Sequence, residues 1–334
     1  MKAIQFKKFG SADVLEYIDL STPSPSDDQV LIEVKAAGVN FVDVRQRQGV
    51  YQRPETRVGY LTLPYVPGWQ VSGVVKEVGP KGDRSLLEKK VVAMLPAGGG
   101  YAQYALAPSS MTIPLLHPVD DVQVAALPMQ GMTAYLSLRM STRLLPGESV
   151  LVHAAGGGVG SLAIQIAKVL GAGLIVATAS TEEKRQFAKS LGADFVTDYN
   201  QPQWTREVLE YTRGRGVDII LESIGGEVFH QNFDCLAPFG RYIIFGSTRG
   251  PGAPLEPRKL MQKSQSLTGI YVPVFFAKPN LIREGLQFLV DHAAEGTIRA
   301  QISTVLPLKE AGAAHQMLEE RRVTGAVVLD SSNP

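Results

Sequence analysis

The sequence predicts an α/β fold in two parts, a small, mostly antiparallel β-barrel domain and a doubly wound domain built on a parallel sheet. A chain of 334 residues is too long for one ordinary domain, and 45% apolar residues suffice for two cores. The first third contains short strand-like segments broken by Gly and Pro, which is typical of compact antiparallel barrels. From Ser149 onward strand and helix patterns alternate, which is typical of parallel sheets.

The first third is dominated by strand patterns. Residues 30–36 alternate between apolar side chains and residues such as Glu33, as expected for a half-buried strand. Further strands are predicted at 70–78 and 90–95. The composition becomes helical at 124–138, before the alternating part of the chain begins.

The alternating part contains five predicted strands and four predicted helices. The strands are 149–155, 173–179, 194–197, 217–221 and 241–245. The helices are 158–170, 181–190, 203–212 and 227–236. Ser266–Tyr271 is predicted as a further strand and 279–293 as a helix, and Gly325–Leu329 as a last strand that returns to the first domain for a partner sheet.

The turn between the strand at 149–155 and the next helix has the spacing of a dinucleotide-binding loop. It reads Ala155-x-Gly157-x-x-Gly160. Gly157 would let the backbone approach a pyrophosphate, and Gly160 would let the helix pack closely on the strand. The N–H groups and the positive end of the helix would then face the phosphates. A glycine turn without a ligand is the alternative, but the strand before it and the helix after it favour a nucleotide.

Charge and cysteine content argue against several classes of protein. Lys and Arg (33) nearly balance Asp and Glu (32), which argues against nucleic acid and membrane surfaces as main partners. No apolar stretch approaches membrane-spanning length, and the first residues lack a signal-peptide core. Cys235 is the only cysteine, which excludes an internal disulfide and a thiolate metal cluster. Together these features predict a cytoplasmic protein.

Short motifs that follow one another along nearly the whole chain carry a family resemblance. They are Ala37–Asp43, Arg47–Tyr51, Pro64–Gly68, Gly131–Ala134, His153–Gly160, Gly192–Asp194, Val217–Ile220, Gly240–Arg241, Phe245–Ser247 and Thr324–Gly325. In these motifs the chain resembles the zinc-independent medium-chain dehydrogenase/reductases of the quinone oxidoreductase (ζ-crystallin-like) branch. The resemblance implies a GroES-like catalytic domain, 1–122 with 267–334, and a Rossmann NADPH-binding domain, 123–266.

Three positions depart from relatives. Asn40 stands where zinc-dependent relatives have a Cys, and one cysteine with five scattered histidines cannot supply closely spaced zinc ligands, so no metal is expected. Gln70 stands where relatives tend to carry Glu, and Ala326 where they commonly carry Lys. Roles borrowed from those two side chains are therefore in doubt.

Tyr51 and Asn40 are the predicted catalytic residues. With no metal, no Ser-His-Asp order and no reactive thiol, the cofactor must supply the redox chemistry. The resemblance places Tyr51 where its hydroxyl would donate to the acceptor oxygen, with a surface loop tyrosine as the alternative. Asn40 would bond a cofactor ribose or the acceptor, or else is only a turn residue. Asp43 is interpreted as a structural acceptor and His153 as a packed histidine.

The cofactor-binding residues are assigned from the resemblance and from the strand ends. Ser223–Gly225 and Phe245–Ser247 follow strand ends, where open parallel sheets bind ligands. Gln130 and Thr133 would reach the nicotinamide, although Thr133 has the alternative of bonding a carbonyl one turn back. The full predicted set is Asn40, Gln130, Thr133, Ala155, Gly157, Gly158, Val159, Gly160, Ser180, Lys184, Tyr199, Ser223, Ile224, Gly225, Phe245, Gly246, Ser247, Ile270, Tyr271 and Val272.

The second strand of the parallel sheet favours NADPH over NADH. An NAD site has an Asp or Glu at the tip of this strand to bind the ribose 2′-hydroxyl, whereas residues 179–181 carry no carboxylate. A capping box explains Ser180 but not Lys184 and Arg185, because a helix N-terminus disfavours cations. By resemblance Lys184 meets the 2′-phosphate and Tyr199 lies near the adenine; a solvated surface lysine is the alternative.

The predicted function is reduction of a quinone or an activated alkene by NADPH. An enoyl reductase of 2-alkenals or enoyl thioesters is the alternative enzyme, and Arg45, Arg47, Arg53 and Arg57 would suit the basic mouth that a phosphate-rich coenzyme needs. An NADPH-binding crystallin or RNA-binding protein with little turnover is the alternative of another class, and the balanced charge argues against RNA. Ser266–Tyr271 predicts an exposed sheet edge, which the family covers by pairing with a second subunit in a homodimer.

Overall fold

The computed structural model describes residues 1–52 and 61–332, so Arg53 and Arg57 lie outside the described residues. The chain forms two compact units, Met1–Met132 with Val272–Pro334 and Thr133–Tyr271.

The strands and the helices are numbered separately, each in chain order. The strands are β1 (Lys2–Gln5), β2 (Glu16–Asp19), β3 (Gln29–Val39), β4 (Gln70–Val78), β5 (Lys90–Met94), β6 (Tyr104–Pro108), β7 (Thr112–Pro114), β8 (Ser149–Val152), β9 (Leu174–Thr178), β10 (Phe195–Thr197), β11 (Val217–Glu222), β12 (Leu236–Ile244), β13 (Ser266–Gly269), β14 (Ile302–Pro307) and β15 (Ala326–Asp330). The helices are α1 (Phe41–Arg47), α2 (Asp121–Ala125), α3 (Pro128–Tyr135), α4 (Gly158–Val169), α5 (Glu182–Ser190), α6 (Trp204–Tyr211), α7 (Glu227–Cys235), α8 (Arg258–Met261), α9 (Val272–Phe275), α10 (Pro279–Ala294) and α11 (Ala311–Glu319).

The second unit is built on a six-stranded parallel sheet. Its strand order is β10-β9-β8-β11-β12-β13, which is the order of dinucleotide-binding folds. Every residue of β8 and β11 is buried, as expected of central parallel strands covered on both faces. The predicted doubly wound sheet is therefore confirmed. Ligands of such sheets bind at the carboxyl ends of the strands, where the order reverses beside β8.

The strand β12 begins earlier than the sequence indicated. It starts at Leu236, directly after α7, and not at 241. Its pairing with β11 shifts register between Val217 and Ile219, and Phe239 has a φ of +62°. This irregular stretch interrupts the apolar run, so the sequence pattern did not reveal the first half of the strand.

The first unit is built on a seven-stranded sheet. Its order is β14-β15-β3-β4-β5-β7, and β6 also pairs with β3. All pairs except β14–β15 are antiparallel, as predicted for the barrel domain. In β15, Val327 lies opposite Val39 of β3, so the predicted return of the last strand to the first domain is confirmed.

The change from one unit to the other lies at Met132 and Tyr271, whereas the sequence indicated 122 and 266. The start of the helical stretch stays with the first unit because α2 packs on β3 and β4, where the Ser72 hydroxyl donates to the Asp121 carbonyl at 2.7 Å. At the other end, β13 pairs with β12 and so belongs to the second sheet. The short elements β1, β2, β6, β7, α1, α8 and α9 were not predicted.

A cluster of buried polar side chains holds α1 in the first unit. Asp43 Oδ2 accepts from the N–H of Asn40 at 2.8 Å and from the Tyr101 hydroxyl at 3.3 Å, and this hydroxyl lies 3.3 Å from His315 Nε2. Asp43, Tyr101 and His315 are completely buried. Burial raises the pKa of Asp43 from 3.8 to about 7 and lowers the pKa of His315 from 6.5 to about 3. Asp43 thus has the structural acceptor role predicted for it.

Asp43→Asn should change the pH dependence of the stability of the first unit. Because the pKa of Asp43 is raised, its contribution to the free energy of unfolding is fully present below about pH 4. This contribution, about 4 kcal/mol, is lost as the pH rises through about 7. The lowered pKa of His315 acts oppositely: its contribution is present above about pH 6.5 and is lost as the pH falls towards 3. The amide keeps an acceptor for the Asn40 N–H. The variant should therefore gain stability relative to the parent as the pH rises. Its free energy of unfolding should show the pH dependence caused by His315 without the opposite contribution of Asp43.

Thermal unfolding between about pH 4 and 8 measures both slopes. Trp69 lies in the first unit and Trp204 in the second, so Trp69 fluorescence in a Trp204→Phe background follows the first unit. Asp13→Asn, which changes an exposed carboxyl, is the control. Parallel pH profiles for the parent and Asp43→Asn would contradict the prediction.

Candidate functional site

The glycine turn joins β8 to α4 at the centre of the parallel sheet. Ala154 has a φ of +49°, and the N–H of Gly157 donates to its carbonyl at 2.9 Å. A β-carbon at Gly160 would lie 2.5 Å from the same carbonyl oxygen, so only glycine permits this approach of α4. A β-carbon at Gly157 would meet only that oxygen, at 3.4 Å, which leaves the backbone open. The turn therefore has the close helix approach at Gly160 and the open backbone at Gly157 that the sequence predicted.

The start of α4 offers backbone donors. Gly157 is its N-cap, and no side chain caps the helix. The N–H groups of Gly158, Val159 and Gly160 lie in the first turn, where no intrahelical acceptor exists. Ala155 is buried, and its N–H donates to the Thr178 carbonyl at 3.0 Å, which ties the turn to β9. A helix start of this kind binds anions through its N–H groups and its dipole.

The helix after β9 is capped differently from the prediction. Its N-cap is Thr181, whose hydroxyl oxygen accepts from the Lys184 N–H at 3.3 Å. The capping-box explanation of Ser180 is therefore wrong, and Ser180 lies half-buried between the strand end and the cap.

Arg185 has a structural explanation that the sequence did not reveal. Its guanidinium pairs with Glu182 at 2.8 Å and with Asp198 at 3.3 Å, and it donates to the Ala179 carbonyl at 3.1 Å. These partners account for Arg185, which the capping box left unexplained, without a phosphate beside it.

The stem of Lys184 lies against the glycine turn. A β-carbon at Gly156 would lie 2.8 Å from both Cβ and Cγ of Lys184. The missing side chain at Gly156 thus lets the lysine cross the turn. Gly156 falls outside the dinucleotide spacing, so the sequence pattern gave no signal for this contact.

Arg249 is a cation that the sequence analysis missed. Its Cζ lies 4.9 Å from the centre of the Tyr199 ring, and its Nη2 donates to Asn200 Oδ1 at 2.5 Å. Together with Gly226 and Gln231, these side chains line a surface pocket of the second unit. Arg249 follows β12 and Tyr199 follows β10, so only the fold brings them together.

Two predicted cofactor-binding loops lie side by side at the carboxyl ends of β11 and β12. The loops contain Ser223–Gly225 and Phe245–Ser247, and the N–H of Thr248 donates to the Ser223 carbonyl at 3.0 Å. Ile270 and Tyr271 follow β13 at the same edge of the sheet. Because the strands are parallel, the second unit brings these loops to the edge that carries the glycine turn and the β9 tip.

Asn40 and Tyr51 flank α1 in the first unit. Asn40 is the N-cap of α1 and only 4% exposed; its Nδ2 lies 3.4 Å from the Gly38 carbonyl. The side chains of Asn40 and Asp43 form a capping box, in which each faces the backbone N–H of the other. Burial raises the pKa of Tyr51, and the charge of Arg45 opposes this. The Tyr51 hydroxyl thus stays protonated at neutral pH and is able to donate.

The remaining candidates lie on or beside α3 and at α9. Gln130 belongs to the first unit and Thr133 to the second, both are buried, and Val272 begins α9 in the first unit. Gln130 Oε1 has no partner among the described residues. Gln70 Oε1 accepts from the N–H of Met129 in the first turn of α3, so Gln in place of the family Glu still supplies an acceptor here.

Neither a metal cluster nor a spanning helix is found in residues 1–52 and 61–332. No three His, Cys, Asp or Glu side chains there are grouped so that they could hold a metal ion. None of the described helices is long and apolar enough to cross a membrane.

Comparisons with known proteins match the chain over its whole length. Residues 26–117 match the alcohol dehydrogenase GroES-like domain family, and 158–291 match the zinc-binding dehydrogenase family. The chain is 33% identical to a 2-haloacrylate reductase of Burkholderia sp (98% of each chain) and 34% identical to the quinone oxidoreductase of Homo sapiens (98% of this chain, 97% of the relative). The crystal structure of Escherichia coli quinone oxidoreductase complexed with NADPH matches with a TM-score of 0.89 at 30% identity, covering 99% of this chain and 100% of that one.

Proposed function

The chain belongs to the quinone oxidoreductase branch of the medium-chain dehydrogenase/reductase family, and from this membership we propose an NADPH-dependent reductase of quinones or activated alkenes. Similarity to a quinone oxidoreductase and to a 2-haloacrylate reductase supports both acceptor classes, because a haloacrylate is an alkene conjugated to a carboxylate. Similarity to a quinone oxidoreductase complexed with NADPH supports the cofactor. The observation that carries the proposal is the open glycine turn with Lys184 against it.

The carboxyl edge of the second sheet fits a phosphorylated dinucleotide. The open backbone at Gly157 and the uncapped start of α4 suit a pyrophosphate. The tip of β9 has no carboxylate, Lys184 suits a 2′-phosphate, and Arg249 adds a cation beside Tyr199. When bound there, NADPH would supply the hydride.

Tyr51 and Asn40 act on the acceptor in this proposal. The protonated Tyr51 hydroxyl donates to the acceptor oxygen as negative charge develops on it. Asn40, which is buried at the start of α1, holds a ribose hydroxyl or the acceptor. Gln130 and Thr133 orient the nicotinamide. The contribution of these groups is orientation and one positioned proton.

One of the four arginines predicted for the basic mouth has a structural role. Arg47 was expected to contribute to the basic mouth for enoyl thioesters, but it is completely buried and pairs with Glu319 at 2.7 Å. Arg53 and Arg57 lie outside the described residues, so Arg45 is the described member of the four that is left to meet a phosphate-rich coenzyme.

The proposal assigns catalysis to the first domain, 1–122 with 267–334 in the sequence prediction, and NADPH binding to the second, 123–266. It places the enzyme in the cytoplasm, a reducing compartment that suits a buried free thiol at Cys235.

We further propose a homodimer formed through the outer edge of β13. Among the described residues this strand pairs only with β12, and most of it is exposed. An unpaired edge strand of this kind is a site for pairing with another chain. A two-fold axis would pair two copies of β13 antiparallel, which satisfies both edges at once.

The purified protein should oxidise NADPH with a simple quinone and with an α,β-unsaturated ketone. Tyr51→Phe should lower kcat with the ketone about tenfold or more, which is about 1.4 kcal/mol for one hydrogen bond to a developing oxyanion. The loss should be smaller with the quinone, which accepts hydride with little help, and the KM for NADPH should not change. No oxidation with either acceptor would contradict the proposed function, and unchanged kcat with both would remove Tyr51 from it.

Lys184→Ala should reduce the preference for NADPH over NADH. Because NADH lacks the 2′-phosphate, kcat/KM should fall about tenfold or more with NADPH and change little with NADH. Lys189→Ala is the matched control, since it removes the same charge from the exposed last turn of α5. Steady-state kinetics give the ratio. Preference of the parent for NADH would refute the cofactor assignment, and an unchanged ratio in Lys184→Ala would refute the role of the lysine.

Gly269→Pro should convert the dimer into a monomer. The N–H of Ile270 donates to the Ile244 carbonyl of β12, so strand alternation points the Gly269 N–H to the outer edge. Proline removes this donor, whereas Gly269→Ala keeps it, and no atom lies within 4 Å of a β-carbon there. Light scattering at micromolar concentration should show a dimer for the parent and the Ala variant only. A monomeric parent would contradict the proposal.

A further inference from the structure

Five completely buried polar side chains form one hydrogen-bonded network at the carboxyl ends of the central strands. The members of this carboxyl-edge network are His153, Thr178, Glu222, Asn232 and Tyr242. His153 follows β8, Thr178 and Glu222 end β9 and β11, Asn232 lies on α7, and Tyr242 lies on β12. The network therefore crosses four neighbouring strands near the sheet edge that carries the candidate cofactor loops, and none of its members is among the predicted cofactor contacts.

Asn232 is the centre of the network. Its Nδ2 donates to Glu222 Oε2 at 2.6 Å and to the Tyr242 hydroxyl at 2.8 Å, and its Oδ1 lies 2.6 Å from His153 Nε2. Because both amide protons are used, Oδ1 is the acceptor and His153 Nε2 carries a proton. His153 Nδ1 lies 2.7 Å from the Thr178 hydroxyl, and His153 Nε2 also lies 3.6 Å from Glu222 Oε2. Each of the five side chains therefore has a hydrogen-bond partner within the network.

The other oxygen of Glu222 fixes the loop after β11. Oε1 accepts from the N–H of Gly225 at 2.8 Å and from the N–H of Ile224. The N–H of Arg249 in turn donates to the Ile224 carbonyl at 2.7 Å, and a β-carbon at Gly225 would lie 2.1 Å from the Gly250 carbonyl oxygen. The loop after β12 is thus packed against the loop that Glu222 holds. One buried carboxylate anchors both loops.

We propose that Glu222 is a positioning residue for dinucleotide binding, held in its orientation by Asn232 and His153. The inference rests on the proposed function for the identity of the ligand and extends it to side chains that do not touch it. A carboxylate that accepts three N–H bonds in a buried site has little freedom to move. The two loops are therefore preorganised before the ligand arrives, which lowers the entropic cost of binding. Loss of the carboxylate should weaken binding more than it slows turnover at saturation.

Asp218 provides a matched control on the same strand. It is 8% exposed, and its Oδ2 accepts from the N–H and the hydroxyl of Ser149 at 2.8 and 2.7 Å. It thus bonds β11 to β8 as a buried carboxylate, but at the amino ends of the strands. Asp218→Ala should destabilise the second unit and leave the ligand-binding edge unchanged.

Glu222→Gln separates geometry from charge. If the Asn232 amide turns over and His153 donates through Nδ1 and accepts at Nε2, the side-chain bonds of the network can form with their directions reversed, and Tyr242 gives up only its donation to the Phe229 carbonyl. The glutamine oxygen still accepts from the N–H groups of Ile224 and Gly225, and the glutamine NH₂ group donates to Asn232 Oδ1. Glutamine should therefore retain most of the affinity that alanine loses.

Fluorescence titration of NADPH and thermal unfolding test the proposal in the full chain. Trp204 fluorescence follows the second unit, and its ring lies 5.3 Å from that of His153. The Kd should rise about tenfold or more in Glu222→Ala and less than about threefold in Glu222→Gln and Asp218→Ala, with kcat at saturating NADPH within about twofold. Asn232→Leu, which removes the donor to Oε2, replaces Glu222→Ala if that variant does not fold, and it should also raise the Kd.

Two results would overturn the proposal alone: an unchanged Kd in Glu222→Ala, or an equal rise in Asp218→Ala. Failure of the parent protein to bind NADPH would overturn the proposed function and this inference together, so the two failures are distinguishable.

Discussion

The approach of α4 to the turn after β8 is the constraint on which the second unit depends. A side chain at Gly160 would clash with the Ala154 carbonyl oxygen. Because glycine has no side chain, α4 packs directly on β8 and β9. This contact sets the position of the backbone donors in the first turn of the helix. A larger residue would displace the helix from the central strand, and the donors would move with it. In the proposed function the backbone therefore supplies the geometry for binding an anion, and Lys184 would add positive charge beside it.

The parallel sheet could be predicted from the sequence because its signals are local. Strand–helix alternation and glycine spacing are both visible within windows of about ten to twenty residues. The missed elements depend on distant contacts. β1 and β2 have four residues each, and the N–H of Ile4 bonds the Tyr101 carbonyl at 2.8 Å, a contact that no local pattern reveals. The choice of Thr181 over Ser180 as a cap depends on where β9 ends, since both residues are good caps.

The candidate site shows the same division between local and distant information. The sequence pointed to the glycine turn through its spacing and to Lys184 through the family resemblance, and it marked His153 as packed because the residue lies in the predicted strand 149–155. The partners of His153 could not be predicted: Thr178 lies 25 residues away and Asn232 lies 79 residues away. Arg249 was missed for the same reason. A polar residue in an apolar segment signals that a partner exists, because burial without one is costly, but it does not identify the partner.

The position of β15 has a consequence for the order in which the chain folds during synthesis. β15 lies between β14 and β3, so the first sheet has a gap beside β3 until Ala326–Asp330 has left the ribosome. The second unit is continuous from Thr133 to Tyr271 and can fold while the first still waits for its last strands. Throughout that interval residues 36–39 of β3, which β15 later covers, have an unpaired edge that other nascent chains can reach, whereas residues 29–33 are already paired with β6. Translation of the second unit therefore prolongs the exposure of this short edge.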